Sequence, residues 1–262
     1  METSARSWAV VVEMKLSQTR RHWDKMAETD PFWAVLTDPD KKGNRWQIDE
    51  FFADGKNTVE AELKGVRARY PGLRTGRALD FGCGVGRLTQ ALALHFERVT
   101  GVDISEKMLG LADRYNRHGD RVNYVHNSRP DLQLLAGDQF DFVYSLITLQ
   151  HMEPVYARRY IAEFVRVAAP GGVILFQLPS QQPRENTLLT LWLPTLYKRL
   201  RRRLRRWLSV WFLFEPVMEM HALPRAEILA LLDQAGAELL NAYRYDAAGS
   251  ELESWGYLAR KR

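Results

Sequence analysis

Leu79-Asp80-Phe81-Gly82-Cys83-Gly84-Val85-Gly86-Arg87-Leu88 sets three glycines at alternate positions between an apolar run and a helical pattern. A chain that turns sharply there, with no Cβ in the way, can bring its backbone close to a ligand. The spacing is G-x-G-x-G, and Arg87 stands where a G-x-G-x-x-G dinucleotide loop has its third glycine, which argues against a nicotinamide dinucleotide. Asp80, two residues before Gly82, would place a carboxylate beside the loop's ligand and favour a cation over a pyrophosphate. A second carboxylate, Asp103, closes the run Val99-Thr100-Gly101-Val102-Asp103 at the offset where such sheets meet ribose hydroxyls. The plainer alternatives are a ligand-free strand-to-helix turn and, for Asp103, a helix N-cap beside Ser105. Cys83 has no base assigned to it by sequence and reads as a small residue filling a tight loop.

A second constellation is Tyr144-Ser145-Leu146-Ile147-Thr148-Leu149-Gln150-His151-Met152, at the end of a strand pattern. Ligands of parallel sheets bind outside the carboxyl ends of the strands, so this segment faces the reacting group; Ser145 is read on the cofactor side and Gln150 on the substrate side. His151 has the intrinsic basicity to take a proton from a hydroxyl. Its alternative is a histidine bonded under the loop before the helix that Pro154 opens. His221 reads as a loop histidine, and His22, His95, His118 and His126 lack metal-ligand spacing. No metal site is expected.

The elements that must position these groups alternate as βαβ units from Arg77 to Pro179, predicting a doubly wound, Rossmann-like α/β fold with a seven-stranded sheet. Strands are predicted at 78–81, 98–102, 122–126, 140–145 and 173–178, and helices at 87–96, 105–117 and 155–168, the last stopped by Pro170-Gly171-Gly172. Residues 17–76, rich in Trp and Phe, predict a helical cap, with Trp33 and Trp46 as lid candidates. A helix at 225–235 and strands at 238–245 and 254–259 predict a closing antiparallel hairpin. The division is an extension at 1–16 and one domain at 17–262, comprising the cap, a core at 77–180, an insertion at 181–222 and a closing unit at 223–262.

Composition sets the outer bounds. The 262 residues are 46% hydrophobic with a single cysteine, which excludes a disordered chain or a disulfide scaffold. The apolar run Trp8 to Val12 is too short for a secretory signal, and a cytoplasmic setting is expected. Net charge is +5, but Lys198 to Arg206 (KRLRRRLRR) holds seven basic residues, so the rest of the chain is slightly acidic and a general nucleic-acid-binding surface is not expected.

Taken in order, LDFGCGVGRL, GVDIS, FDFVYSLITLQHM and RVAAPGG resemble the class I S-adenosylmethionine-dependent methyltransferases, of the ubiquinone and natural-product type. The resemblance implies S-adenosylmethionine, a cation, as cofactor. It implies that Gly82, Gly84 and Gly86 hold its methionine part, that Asp103 binds the ribose, and that Asn127 and Ser128 flank the adenine; Ile104 and Met108 are placed to pack either on the adenine or on the sheet. Many members carry an acidic residue where Ser128 stands. The segment after Tyr144 lacks the N-P-P-Y sequence of many base and glutamine amino-methyltransferases, which points to another acceptor.

Leu193, Leu196, Leu200, Leu204, Trp207, Leu208 and Trp211 form one apolar stripe within 187–214, with arginines around the rest. That is the pattern of an amphipathic helix on an anionic membrane surface at the inner face, or of a helix packed on its own protein. The function implied is methyl transfer to an oxygen or nitrogen of a small molecule, including a glycan or lipid-linked intermediate. The alternatives are an NAD-type oxidoreductase and a non-catalytic adaptor that binds a membrane or polyanion.

Overall fold

A computed structural model describes residues 2–181, 216–245 and 253–262; the basic stripe at 187–214 lies outside the described residues. Seven strands form one sheet: β1 (Arg77–Phe81), β2 (Arg98–Asp103), β3 (Val122–His126), β4 (Phe140–Ser145), β5 (Ala168–Pro179), β6 (Ala237–Arg244) and β7 (Ser254–Lys261). Their order is β3-β2-β1-β4-β5-β7-β6, parallel except for β7, which runs antiparallel to both of its neighbours. β1, β4 and most of β5 are buried along their length, as parallel strands covered on both faces must be.

The described residues form seven α-helices: α1 (Glu2–Thr29), α2 (Pro31–Val35), α3 (Ile48–Arg69), α4 (Arg87–Leu92), α5 (Glu106–Arg114), α6 (Pro154–Val167) and α7 (Arg225–Gln234). α3 buries Val59, Leu63 and Val66 against Leu88, Phe96 and Phe142 on one face of the sheet. On the other face Tyr160, Ile161, Phe164 and Val165 of α6 and Ile228 and Leu232 of α7 pack on Leu79, Ile174 and Tyr257. A third cluster joins the cap to α5: the Phe32 ring lies 4.7 Å from Phe51 and 5.6 Å from Tyr115. Aromatic pairs in such geometry add about 0.5–1.5 kcal/mol each beyond their buried area.

Several strand and helix ends shift by one or two residues, and three larger differences from the sequence expectation arise through tertiary demand. α4 ends at Leu92 rather than 96, because the amides of Glu97 and Arg98 are taken by the carbonyls of Thr75 and Gly76 as the chain turns into β2. α5 ends at Arg114, where the Asn116 side chain bonds Gly119 and His118 in a turn. β5 begins at Ala168, directly after α6, so Pro170-Gly171-Gly172 is an irregularity inside a strand and not the helix stop. A Cβ on Gly172 would lie 2.7 Å from the carbonyl oxygens of both Ala169 and Phe140, which explains the glycine there. α1 is continuous across 2–29 and so runs through the boundary drawn at 16.

The chain moves outward from β1 through β2 to β3 and returns to β4 on the other side of β1. Phe81, Asp103 and Ser145 close their strands at the same edge, and the crevice between β1 and β4 opens there.

Candidate functional site

The crevice is a cavity of about 960 Å³, counting the part open to solvent. Its floor is the turn after β1 and the ends of β2 and β3: Phe81, Gly82, Cys83, Gly84, Val102, Asp103, Ile104 and Asn127. Its roof is Leu16, Thr19 and Trp23 on α1 and Ala34 and Val35 on α2, with Leu146 to Thr148, His151 and Met152 along one side.

The floor is built locally. The amides of Gly82 and Cys83 both donate to the Val102 carbonyl, at 2.7 and 3.1 Å, so the turn is pinned to the neighbouring strand. Gly82 has φ +76°, and a Cβ there would lie 2.1 Å from Cγ2 of Thr148. Gly84 has φ +52° and sits under Val35. Two demands therefore select glycine, a left-handed backbone and close approach by the protein's own side chains. Asp103 accepts the Gly84 amide on Oδ2 and the Ser105 amide on Oδ1, each at 2.8 Å. Burial pushes its pKa up, opposed by these backbone bonds. Two amide bonds leave a carboxylate with capacity for hydroxyl donors. Ser105 caps α5 by accepting the Met108 amide, and its own hydroxyl donates to Asp24 of α1, which ties the roof to the floor.

Asp80 is not on the wall. It is 1% exposed beneath the loop, where its Oδ2 accepts the Thr89 hydroxyl at 2.6 Å. Burial raises its carboxyl to about 6. The wall also leaves out Gly86, which opens α4 with φ +81°; Met108, buried in the cap cluster; and Ser145, whose hydroxyl donates to the Phe81 carbonyl. Ser128 is exposed, and Gln150 is buried behind His151. Asn127 reaches the wall, but its amide shapes the following loop through Asp131 and Arg129. Cys83 is buried with its thiol pKa pushed up by desolvation, the opposite of an activated nucleophile.

His151 is 7% exposed and lines both this cavity and a smaller polar one formed by Gln18, His22, Glu153, Tyr156 and Glu219 among others. Its Nδ1–H donates to the Glu219 carbonyl at 2.8 Å, and its Nε2 faces the Gln150 side-chain amide at 3.3 Å. Burial lowers its pKa to about 4, so the ring is neutral at neutral pH. Trp23 meets it edge-on with ring centres 5.5 Å apart. Trp23 belongs to the aromatic-rich segment whose residues 23–52 are read from sequence as a lid or as packing on the sheet, although Trp33 and Trp46 are the lid candidates named from it. Trp33 and Trp46 instead donate to the carbonyls of Asp38 and Leu36 and do not line the cavity. The available signal was spacing: Leu16, Thr19 and Trp23 share one face of α1. Arg87, notable in the sequence only for standing at the third-glycine position, also reaches the wall, where Asp54 holds it at 2.5 Å.

His221 stays off the wall; its amide donates to the Gln150 carbonyl at 2.7 Å and its ring meets Glu219. Among the described residues, no group of three or more His, Cys, Asp or Glu side chains is placed to hold a metal, and no helix is long and apolar enough to cross a membrane.

Residues 78–172 match the methyltransferase-domain family. A ubiquinone biosynthesis O-methyltransferase of Aromatoleum aromaticum is 36% identical over 110 residues, covering 41% of this chain and 46% of the relative. The chain spans about half the length of the curated relatives it matches. Among solved structures, magnesium protoporphyrin IX methyltransferase from Synechocystis PCC 6803 with bound S-adenosylhomocysteine superposes with a TM-score of 0.62 at 19% identity, covering 95% of this chain and all of that one. An N-methyltransferase from Bradyrhizobium japonicum, also with S-adenosylhomocysteine, gives 0.57 at 17% identity, covering 93% and 98%. At these identities the two structures share the fold.

Proposed function

We propose, from the premise that this chain belongs to the class I S-adenosylmethionine-dependent methyltransferases, that it passes the cofactor's methyl group to an oxygen or nitrogen of a small molecule held under the roof of the cavity. The observation that carries this reading is the meeting of Gly82, Gly84 and Asp103 on one wall at the β1/β4 crevice, opposite an apolar wall of Leu16, Trp23, Leu146 and Met152. The residues fit the cofactor: a half-buried carboxylate with spare acceptor capacity suits ribose hydroxyls, and the cavity has the volume of a small-molecule site.

S-adenosylmethionine, when bound, supplies an electrophilic methyl on a sulfonium. In-line transfer then asks the chain mainly for alignment and exclusion of water. Asp103 and the backbone from Gly82 to Gly84 would hold the cofactor, and Ile104 packs at the same wall. Leu16, Trp23 and Met152 offer an apolar surface for the acceptor and keep the cavity dry. As a base His151 is weak, with a pKa near 4, and taking a proton on Nε2 would cost its contact with the Gln150 amide; the proton on an oxygen already being methylated, far more acidic than an imidazolium, can drive that exchange.

The nature of the acceptor is read from the surroundings. The curated relatives are O-methyltransferases, which supports oxygen as the first acceptor atom to test. The chain leaves the sheet at Pro179 and returns onto the site: the Val217 amide donates to His22, the Glu219 carbonyl accepts from His151, and the Leu223 amide donates back to Pro179. The basic, Leu- and Trp-striped sequence between these points supports an acceptor presented at an anionic lipid surface, where each basic residue contributes about 1 kcal/mol.

The experiment is transfer of labelled methyl from S-adenosylmethionine into cell extract, separated into lipid, soluble small-molecule, protein and nucleic-acid pools. Label in the lipid pool that is lost when Arg201, Arg202 and Arg203 are changed to Glu supports lipid presentation. Label in the soluble pool that is unaffected by those changes refutes lipid presentation and keeps the transferase. Label in no pool, from protein that is folded by circular dichroism, refutes the transferase reading.

A further inference from the structure

We propose that Gln177, on β5, is a positioning residue that orients the Gln150 amide so as to disfavour a proton on His151 Nε2, while the Glu219 carbonyl holds the proton on Nδ1. Gln177, Gln150, Ser254 and His151 are 1%, 3%, 1% and 7% exposed, and they form one hydrogen-bonded chain. The amide of Ile147 donates to Gln177 Oε1 at 3.1 Å. A backbone N–H only donates, so this contact sets which end of the Gln177 amide faces Ile147. Gln177 Nε2 then donates to Gln150 Oε1 at 3.1 Å and to Ser254 Oγ. Gln150 is thereby turned so that its Nε2 donates to His151 Nε2. At the far end the Glu219 carbonyl only accepts, which requires the proton on His151 Nδ1. Both ends of the chain are groups whose direction cannot be reversed, and turning any amide between them sets donor against donor or acceptor against acceptor.

The anchor is itself unusual. Ile147 has φ +55°, a left-handed backbone that a β-branched residue rarely adopts, at the point where β4 enters the cavity wall. Its amide bond to Gln177 is part of what holds that conformation, so a single buried glutamine supports both the wall at Ile147 and the ring at His151.

A proton on His151 Nε2 would point an N–H at the Gln150 amide group, and relief would cost the Gln150 bond to Gln177. The other groups facing His151 act as follows. Burial and His221 oppose a charge, and the Glu219 carboxylate is engaged with His221. From α1 come the Trp23 edge and His22, and from the start of α6 Glu153 and Tyr156, on the polar cavity that His151 shares. An uncharged His151 leaves Asp103 to set the field in which a cationic cofactor binds. That consequence rests on the proposed methyl transfer, whereas the tautomer does not.

The test is long-range proton–nitrogen correlation of the histidine rings in the full-length, nitrogen-15-labelled protein, with the His151 signal identified by its loss in His151→Gln. The expected wild-type spectrum has a protonated Nδ1 and an unprotonated Nε2, unchanged from pH 8 to pH 6. An Nε2–H tautomer would overturn the proposal without any variant being made. In Gln177→Glu the introduced carboxylate turns the Gln150 amide, which then presents its oxygen to His151. The titration of His151 is expected to rise by at least about one pH unit, a tenfold gain in proton affinity. In Gln177→Met the directing contact is gone while the Glu219 carbonyl still holds the Nδ1 proton, so the tautomer is expected to stay and the titration of His151 to rise by less than in Gln177→Glu. Folded variants whose His151 signals match wild type would overturn the proposal. If the titration of His151 shifts as expected and no methyl is transferred by any form, the positioning role stands and the transferase reading falls.

Discussion

The floor and the roof of the cavity are made in different ways. The floor comes from one βαβ stretch, Leu79 to Asp103, and its defining contacts join residues about twenty positions apart, such as the Gly84 amide on Asp103. The roof and the side at His151 are assembled from α1, α2 and the turn at Leu149–His151, backed by the returning segment 216–223 through contacts such as Val217 to His22, 195 positions apart. The floor is a recurring local solution for holding a cofactor. The roof is a particular arrangement, and under the proposed function it is where the acceptor would be selected.

If that division holds, damage to the floor should be severe and general. Gly82→Ala forces a Cβ to within 2.1 Å of Thr148 at a left-handed φ, so backbone strain and overpacking should together cost roughly 3–5 kcal/mol, read as a fall in unfolding free energy in urea.

A second experiment compares one buried ionisable group from each region. Asp80, under the floor, has its carboxyl raised from 3.8 to about 6, so the native state holds a proton that the unfolded chain has lost. Its contribution is full below about pH 4 and falls as pH rises to about 6. His151, beside the roof, is lowered from 6.5 to about 4, so its contribution is full above pH 6.5 and is lost as pH falls towards 4. The two oppose each other over the same window, each by up to roughly 3 kcal/mol at 1.36 kcal/mol per unit. Stability of Asp80→Asn should therefore rise more steeply with pH between 4 and 6 than that of wild type. In His151→Gln it should instead decline. Matching slopes in all three proteins would break the comparison.

The smallest effect belongs to the roof. Trp23→Ala opens the wall beside His151 and should raise the acceptor KM by about tenfold while changing cofactor affinity by less than about threefold. A larger loss of cofactor than of acceptor would mean that α1 belongs to the cofactor site.

The same division explains what could be read in the chain. β3 and β4 were predicted to the residue, because short apolar runs between turn signals leave little latitude. Gly82, Gly84, Asp103, Ile104 and Asn127 reach the cavity wall because each follows a strand end whose position the alternation of elements determines. Asp80 and Ser145 sit at strand ends too, but their side chains point into the sheet layer and are spent on Thr89 and Phe81. Sequence spacing gives the position along a strand, while the face depends on pleat and packing. Gln150 illustrates the rest: it is beside His151 in sequence and near the site, yet it is bonded to Gln177 and kept from the cavity. Gln177 itself looked like part of an apolar strand, and only the pairing of β5 between β4 and β7 shows what its amide does.

Calorimetric titration with S-adenosylmethionine, against wild type and Asp103→Ala, asks whether the floor of the cavity holds this cofactor through Asp103. One site per chain is expected in the wild type, with affinity at least about a hundredfold weaker in the variant and no heat with NADH. Binding of NADH in place of S-adenosylmethionine, or equal affinity of the two proteins for S-adenosylmethionine, would contradict that role of the floor.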